Sequence, residues 1–193
     1  MKEKIILKSA HPEEYPDLEI ECRFIPNKEI GKYLSNIPES EKFYAYKSGK
    51  VSARRGVEGE KIKTALKTVI DGKEYILAEE ENTVKNREGV LDVVVTNISS
   101  TSNEQYVVRG EKFKKTYTPI EGEAFFLPVP ESRQLTRVSE NVIIMTLWEE
   151  PVLCLKGSYI VTYSAEESDY NALEKEAYEL TYTKEEQKVK TKK

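Results

Sequence analysis

Four arginines are the side chains of this sequence best suited to bind an anion. Arg54 and Arg55 lie in "SARR", and Arg133 lies in "ESRQ", with Arg137 four residues further on. A guanidinium group presents its N–H donors in a rigid planar fork that matches a phosphate or a carboxylate. Arg54 and Arg133 each lie at an end of a predicted strand, so both forks would face one cleft if a pseudo-twofold axis related the strands. Ion pairs with the many surface glutamates are the alternative.

Trp148 completes the set of candidate ligand-binding residues. It is the only tryptophan and lies beside Glu149 and Glu150, in a turn between two predicted strands. An indole ring has a large apolar surface and one N–H donor. We expect Trp148 to be either an exposed aromatic residue that contacts a ligand or a residue at the rim of the core.

The sequence contains none of the common catalytic or cofactor motifs. His11 is the only histidine and precedes a proline, so one chain cannot assemble a Ser-His-Asp triad, a Cys-His pair or a multi-histidine metal site. It has no GxxxxGK[ST] loop and no GxGxxG loop after a strand. The glutamates of "AEEENT" and "WEEP" are typical of solvated charges, whereas an acid-base pair needs two different environments. We therefore predict no catalytic residues, no metal and no cofactor.

The composition is that of a folded protein without a strong excess of either charge. The chain has 34 acidic and 30 basic side chains and a net charge of -4, so a nucleic-acid partner is not expected. Cys22 and Cys154 have no cysteine or histidine at metal-ligand spacing nearby, so we expect two free thiols, with a disulfide as the alternative. The apolar runs are too short for a signal peptide or a membrane span. These features predict a cytoplasmic protein with no membrane partner.

The first 42 residues differ in character from the rest. Four prolines interrupt this segment, which predicts a partly irregular N-terminal arm over residues 1–42 that covers another part of the protein. Within it, "NKEIGKYLSNI" has apolar residues at spacings of four and three. This pattern predicts a short helix after Pro26, capped by Asn27.

Several later segments favour strands. "KIKTALKTVIDGKEYILAEE" has Asp71-Gly72 between two β-favouring runs, which predicts a hairpin, with a helix over residues 62–70 as the alternative. "GVLDVVVTNI", "ENVIIMTLW" and "PVLCLKGSYIVTY" are rich in β-branched residues and are predicted strands, and the polar "SSTSNEQ" is a predicted turn. The last residues, 184–193, are almost all charged and predict a solvated tail.

Two stretches of the chain match each other in the same order, which predicts an internal duplication. Upstream, Arg54 corresponds to Arg133. Chance similarity in a chain with twelve tyrosines is the alternative. The further matches are Thr96 with Thr162, Tyr106 with Tyr170, Phe113 with Tyr178, and Thr116-Tyr117 with Thr181-Tyr182.

Each copy is predicted to be a small sheet followed by one helical turn. The first copy spans residues 43–120 and contains the inserted hairpin, and the second spans residues 121–183. The helical turns are "RGEKFKKT" and "EKEAYELT". Phe113 and Tyr117 lie four apart on one face of the first, and Tyr178 and Tyr182 lie likewise on the second. We expect these aromatic faces to pack on the sheets, with a ligand-stacking platform as the alternative.

The second copy resembles the small domain, found in bacteria and phages, that is named for its Pro-Gly-Asp-Tyr-Gly motif. Gly157-Ser158-Tyr159 corresponds to the core of the motif, with Lys156 where proline or alanine is usual and Ser158 in place of aspartate. In the first copy the matching residues are Leu91-Asp92-Val93, without the glycine. The resemblance covers most of residues 128–183 and, more weakly, residues 50–117. It implies a small β-rich domain, often in phage-related settings, and brings no reaction with it.

Together these patterns predict an α+β, β-dominated protein with two tandem units behind an N-terminal arm. The leading functional hypothesis is a non-catalytic binding module for a protein or an anionic small molecule, of phage or mobile-element origin. One alternative is an enzyme acting on a nucleotide or another phosphate-bearing substrate, which requires an arginine to converge with a carboxylate in a pocket. A structural or assembly protein is the third possibility and predicts a concentration-dependent oligomer.

Overall fold

The structure is a computed structural model that describes residues 2–98 and 104–186. Strands account for 52% and helices for 14% of these residues, which confirms the predicted β-dominated class. Within the described part of the chain, no helix combines the length and the apolar character that a membrane span requires.

Eighteen strands are formed by the described residues. The first six are β1 (Lys2–Ser9), β2 (Leu18–Ile25), β3 (Lys42–Lys47), β4 (Val51–Arg55), β5 (Lys61–Ile70) and β6 (Lys73–Thr83). The next six are β7 (Asn86–Arg87), β8 (Val90–Leu91), β9 (Val93–Asn97), β10 (Gln105–Val108), β11 (Tyr117–Pro119) and β12 (Phe126–Pro128). The last six are β13 (Arg133–Arg137), β14 (Val142–Met145), β15 (Pro151–Cys154), β16 (Tyr159–Ser164), β17 (Asp169–Leu173) and β18 (Tyr182–Lys184).

Helices are few and short among the described residues. They are α1 (Asn27–Ser35), α2 (Gly110–Thr116) and α3 (Lys175–Thr181), with one 3-10 turn at Glu39–Glu41. The helical turns predicted in the two copies correspond to α2 and α3. Both end where an aromatic residue begins a short strand, Tyr117 in β11 and Tyr182 in β18.

The strands form three large sheets and a two-stranded ribbon of β7 and β8. A six-stranded sheet has the order β15-β14-β2-β1-β6-β5. Sheet 1 has the order β10-β9-β4-β12-β11, and sheet 2 has the order β17-β16-β13-β3-β18. Within the six-stranded sheet, β2 and β14 pair in parallel, whereas the other neighbours are antiparallel.

Sheets 1 and 2 are assembled in the same order from corresponding parts of the chain. In sheet 1 the chain passes from β4 through β9 and β10 to α2 and β11, and in sheet 2 it passes from β13 through β16 and β17 to α3 and β18. The remaining strand of each sheet comes from just before the other sheet's first strand. Thus β12 precedes β13 but pairs in sheet 1, and β3 precedes β4 but pairs in sheet 2. Each of the two sheets therefore contains one strand that directly precedes, in the chain, the first strand of the other sheet.

The first 42 residues are more regular than the sequence predicts. Strands β1 and β2 form an antiparallel pair within the six-stranded sheet. Pro12 and Pro16, which contributed to the prediction of an irregular arm, lie in the loop between these strands. They therefore interrupt none of the hydrogen bonds between β1 and β2. Cross-strand ion pairs such as Lys4–Glu19, at 2.7 Å, line the exposed face of the pair.

The predicted helix in this segment is present, but its predicted cap is wrong. Pro26 occupies the N-cap position and Asn27 is the first helical residue, with no side-chain cap. The amide Nδ2 of Asn27 instead donates to the carbonyl oxygens of Met145 at 3.1 Å and Ser168 at 2.9 Å. Asn27 therefore ties the helix to two distant loops rather than closing its own first turn. Ile30 and Leu34 of this helix are buried in a core cluster with residues of β14 and β16.

The predicted Asp71-Gly72 hairpin is confirmed. These two residues join β5 to β6 and have φ angles of 51° and 74°. Two successive positive φ angles are typical of the type I′ turn, whose twist matches that of the strands it connects. The alternative of a helix over residues 62–70 is wrong, because β5 pairs with β6 along that whole stretch.

The two cysteines are free, as expected, and both are buried. Burial raises the pKa of the Cys154 thiol to about 12, which keeps it protonated and unreactive at neutral pH. Two predicted segments, the turn after β9 and the C-terminal tail, lie partly outside the described residues. The turn "SSTSNEQ" is described only from residue 104, and of the predicted tail only residues 184–186 are described, with Lys184 in β18.

Candidate functional site

A cleft of about 920 Å³ lies where sheets 1 and 2 meet. Sheet 1 lines it with β10, α2 and β11, and sheet 2 lines it with the ends of β3, β13, β16 and β18. The chain that crosses from β12 to β13 adds Val129, Pro130 and Glu131 to the wall. This volume is within the range of small-molecule sites, roughly 300–1,000 Å³.

The cleft is strongly basic. Glu131 is the only carboxylate among the described residues that line it. The chain as a whole has an acidic excess and a net charge of -4, so the cleft concentrates positive charge locally. Such a surface attracts small anions and raises their concentration at the site. The cations that line the cleft are Lys47, Arg109, Lys112, Lys115 and Arg133.

Tyrosines form the other main component of the lining. The phenolic oxygens of Tyr106 and Tyr117 are 2.9 Å apart, and Lys47 Nζ donates to the oxygen of Tyr106 at 3.3 Å. Lys47 Nζ also lies 5.2 Å from the centroid of the Tyr106 ring. This chain of contacts joins β3 of sheet 2 to β10 and β11 of sheet 1. Tyr163 and Tyr182 line the cleft from the side of sheet 2.

Burial changes the titration of these groups in a way that favours anion binding. It raises the pKa of all four cleft phenols, so they remain protonated and can donate hydrogen bonds at neutral pH. Burial lowers the pKa of the Lys47 ammonium, an effect that nearby Glu104 partly opposes. Desolvation of the charged Lys47 amine costs free energy, and a bound anion would offset part of that cost.

Arg133 is held in the cleft by residues of sheet 2. Its guanidinium carbon lies 5.2 Å from the centroid of the Tyr163 ring, and its Nη1 donates to the backbone oxygen of Tyr163 at 3.4 Å. Its Nη2 forms an ion pair with Glu131, a largely exposed residue. An anion can compete for this guanidinium, because an exposed ion pair is weak in water.

The remaining cations of the cleft lie on or just before helix α2, whose position is fixed by close packing against neighbouring residues. Gly110 at its start is buried, and a Cβ there would clash with the carbonyl oxygen of Leu91 and lie 2.6 Å from Cγ1 of Val90. The Phe113 ring stacks on Tyr117 with centroids 4.9 Å apart. Because the helix is anchored through these residues, Arg109, Lys112 and Lys115 remain exposed along the cleft.

The predicted aromatic faces of the two helical turns do pack on the sheets. Phe113 also contacts Phe126 edge-on, with centroids 5.1 Å apart. Tyr178 packs against the core of sheet 2 and lies 4.7 Å from Tyr159, centroid to centroid. The second aromatic of each turn, Tyr117 or Tyr182, has a dual position, because it packs on its helix partner and also lines the cleft.

Of the arginines predicted from the sequence, only Arg133 lines the cleft. Arg54 donates from Nη1 and Nη2 to both carboxylate oxygens of Glu60, at 3.0 and 2.5 Å, on the exposed surface. Arg55 and Arg137 are exposed at the far ends of β4 and β13. Arg54 and Arg133 thus do not face one cleft, and for Arg54 the alternative of a surface ion pair holds.

Strand register explains why the two arginines separate. Arg55 pairs with Val93 in sheet 1, and Arg137 pairs with Tyr159 at the corresponding position of sheet 2. Arg54 therefore corresponds to Thr136 rather than to Arg133. Matching "SARR" to "ESRQ" shifts the register of one strand relative to the other. Such a shift moves side chains to the wrong place along the ladder.

Trp148 is exposed and lies away from the cleft. Its side chain is 74% exposed, in the turn between β14 and β15 where Glu149 has a positive φ of 60°. It is therefore not a rim residue of the core, and its indole is available at the surface. It is not among the residues that line the cleft.

One further group of side chains has the spacing of metal ligands. Ligand atoms of His11, Glu13 and Glu14 lie within 4.8 Å of one another, and all three residues are exposed. His11 Nε2 also lies 3.6 Å from a carboxylate oxygen of Glu74. Clusters of this kind are common on protein surfaces, and this one has no buried ligand that would orient an ion.

Several cleft residues were missed by sequence reasoning. The lysines of "RGEKFKK" were interpreted only as part of a helical turn, although a local basic run in an acidic chain is a usable signal. Lys47 has no local signal, because its place depends on the pairing of β3 with the distant β13 and β18.

Comparison of the chain with protein-family models, with curated proteins and with solved structures finds no match. The chemistry of the cleft is therefore what bears on function.

Proposed function

We propose that the protein is a non-catalytic binding module for an anionic small molecule, which it holds in the cleft between sheets 1 and 2. The observation that supports this most is the charge of the lining, five cations against one carboxylate, in a chain whose net charge is -4. Arginine and lysine donors surrounded by protonated phenols are suited to phosphate or carboxylate oxygens.

The surroundings of Lys47 give a second argument. A partly buried ammonium costs free energy unless an opposite charge or several acceptors compensate it. Lys47 has the neutral oxygen of Tyr106 at 3.3 Å and a more distant attraction to Glu104. A protein that keeps a cation in such a place gains when an anion enters. This is the compromise between stability and function that binding sites commonly show.

The lining supports binding more than turnover. Among the described lining residues there is no histidine, cysteine or serine, and Glu131 is engaged with Arg133. Thr116 donates its hydroxyl to the backbone oxygen of Lys112 at 2.8 Å, so this hydroxyl is engaged within its own helix. General acid-base catalysis needs a proton acceptor held beside the reacting atom, and the one carboxylate among the described lining residues, Glu131, is largely exposed.

We further propose that the chain consists of two tandem units, similar to the Pro-Gly-Asp-Tyr-Gly motif domain, that have exchanged their first strands. The common order of elements in sheets 1 and 2 supports this proposal. So do two corresponding hydrogen bonds, from Ser48 N to Thr181 O and from Val129 N to Thr116 O, both 2.8 Å long. A reducing, cytoplasmic setting is part of the proposal and is supported by the two free, buried thiols.

A thermal-shift screen tests the binding proposal. The panel contains pyrophosphate, sugar phosphates, dicarboxylates and nucleotides. A ligand at about 100 times its Kd adds about 2.7 kcal/mol to the free energy of unfolding. For a chain of this size that is a rise in Tm of about 5–10 °C.

The variant Lys112→Ala/Lys115→Ala removes two exposed cations from the cleft wall and should lose most of that rise. The matched control is Lys63→Ala/Lys67→Ala, which removes two exposed lysines from β5, outside the cleft. It should retain the full rise. A panel without any shift, or an equal loss in both double variants, would contradict the proposal.

A further inference from the structure

Tyr163 differs from the other three tyrosines of the cleft in its exposure. It is 40% exposed, whereas Tyr106, Tyr117 and Tyr182 are half-buried. Exposure of a single aromatic residue is ordinary, and Tyr44 is more exposed still on another surface. What distinguishes Tyr163 is its place in a concave, basic lining.

The Tyr163 ring is held in position. Arg133 lies over it with its guanidinium carbon 5.2 Å from the ring centroid, and also donates to the Tyr163 backbone oxygen. A ring fixed beside a guanidinium is a common platform for a planar, electron-rich group, because stacking and cation-π attraction act on the same partner. A nucleobase is a planar group that stacks on aromatic side chains in this way.

The opposite wall offers positive charge at more than one point. Arg109, Lys112 and Lys115 are spaced three residues apart on and just before α2, and all are exposed. Adjacent cations of this kind suit a ligand with several linked anionic groups better than one with a single charge. A cleft of about 920 Å³ also has more room than one phosphate or a small dicarboxylate would fill.

The charge of the whole chain argues against a long nucleic-acid strand. A strand would extend from the cleft over a protein with 34 acidic and 30 basic side chains, where phosphates are repelled. A short polyanion confines its charge to the cleft.

We propose that the cleft binds a nucleoside di- or triphosphate, with the base stacked on Tyr163 and the phosphates held by Arg109, Lys112 and Lys115. This inference rests on the proposed function and specifies its ligand. The binding free energy of the nucleotide then has two contributions, stacking of the base on Tyr163 of sheet 2 and attraction of the phosphates to the cations of α2.

Isothermal titration calorimetry with two probes tests the inference. The probes are ATP and inorganic tripolyphosphate, both without divalent cations, because they share the phosphate chain and differ in the nucleoside. ATP should bind at least about ten-fold more tightly, which is within the range that stacking one base on an aromatic side chain contributes.

Variants of Tyr163 assign that difference to the ring. Tyr163→Leu should remove the advantage of ATP and leave tripolyphosphate binding unchanged, whereas Tyr163→Phe keeps the ring and should keep the advantage. Tyr44→Leu, which replaces an exposed tyrosine outside the cleft, is the matched control and should bind both probes as the unaltered protein does.

The outcomes separate the two proposals. Equal affinity for ATP and tripolyphosphate would overturn the nucleotide inference and leave an anion-binding cleft. Binding of neither probe, with no other anion of the panel bound, would overturn both. Tighter binding of a single-stranded oligonucleotide than of ATP would also overturn the inference, in favour of nucleic acid.

Discussion

Lys47 and Tyr106 belong to different sheets, and the Nζ of Lys47 lies 3.3 Å from the phenolic oxygen of Tyr106. This contact exists because β3 leaves its neighbour in sequence, β4, and pairs in sheet 2 beside β13 and β18. The cleft thus depends on this long-range pairing, since the contact joins a lysine of sheet 2 to a tyrosine of sheet 1.

The first prediction concerns the pH dependence of binding. Burial lowers the pKa of Lys47 below the ordinary lysine value of about 10.5, so its contribution to anion binding is present at neutral pH. That contribution is lost as the pH rises through the lowered pKa. Tripolyphosphate affinity should therefore fall at a lower pH than it would if Lys47 titrated at the ordinary lysine pKa of about 10.5.

Lys47→Arg is the control for this titration, because a guanidinium remains protonated throughout the range. The ligand titrates identically with both proteins, so the ratio of their affinities isolates Lys47. We expect the ratio to shift in favour of the arginine variant before the pH reaches about 10.5, the ordinary lysine pKa. A constant ratio would mean that the Lys47 charge does not contribute to binding.

A second prediction separates the two arginines that the sequence proposed as a pair. Arg133→Ala should weaken binding of the best anion of the panel by about ten- to one hundred-fold, the range of a charged hydrogen bond. Its Tm should change little, because the Glu131 carboxylate with which it pairs is largely exposed. Arg54→Ala removes an arginine paired with Glu60 outside the cleft and should bind normally. Calorimetry measures the affinity of both variants, and thermal denaturation measures their Tm. A large loss of Tm with intact binding in Arg133→Ala would mean that Arg133 stabilises the fold and does not bind the anion.

A third prediction concerns the placement of α2. In Gly110→Ala the added methyl group meets the Leu91 carbonyl oxygen and the Val90 side chain, so the helix must shift. Overpacking of this kind costs about 1–3 kcal/mol of stability and should also weaken anion binding. Gly89→Ala makes a useful comparison. A Cβ at this position meets no neighbour, but the residue has a positive φ of 85°, which strains an alanine backbone. It should lose stability without losing affinity, as followed by urea denaturation and calorimetry.

The fourth prediction tests the strand pairing between the two halves of the chain, which includes β3 with β13, β12 with β4 and β2 with β14. A protease site placed in the exposed turn at Glu121-Gly122 separates the chain between β11 and β12. The N-terminal fragment then lacks β12 of sheet 1, and the C-terminal fragment lacks β3 of sheet 2. The cleaved fragments should elute together in size-exclusion chromatography, and neither should give a dispersed NMR spectrum when expressed alone. A folded C-terminal fragment would show that β3 is dispensable.

Local signals account for the parts of the fold that were predicted correctly. The Asp71-Gly72 hairpin, helix α1 and the two short helices α2 and α3 depend on residues that are close in sequence. The alternation of β-branched residues likewise identifies β9, β14 and β16 without knowledge of their partners.

The cleft depends on long-range pairing and was not predicted. The position of Lys47 is decided by partners in β13 and β18, and a matching error of a few residues was enough to pair Arg54 with Arg133 wrongly. Tyrosines 163 and 182 carry no mark of a binding site in the sequence, because tyrosine serves equally well in a core. What separates the two roles is exposure, which only the folded chain determines.

The most direct test of the central claim is a two-dimensional amide NMR titration of the protein with pyrophosphate. If the cleft is the anion site, the shift changes should concentrate at residues 106–117, at residues 129–133 and at Tyr163 and Tyr182. Changes centred instead on Arg54, Arg55 or Trp148, or a spectrum that does not change, would contradict it.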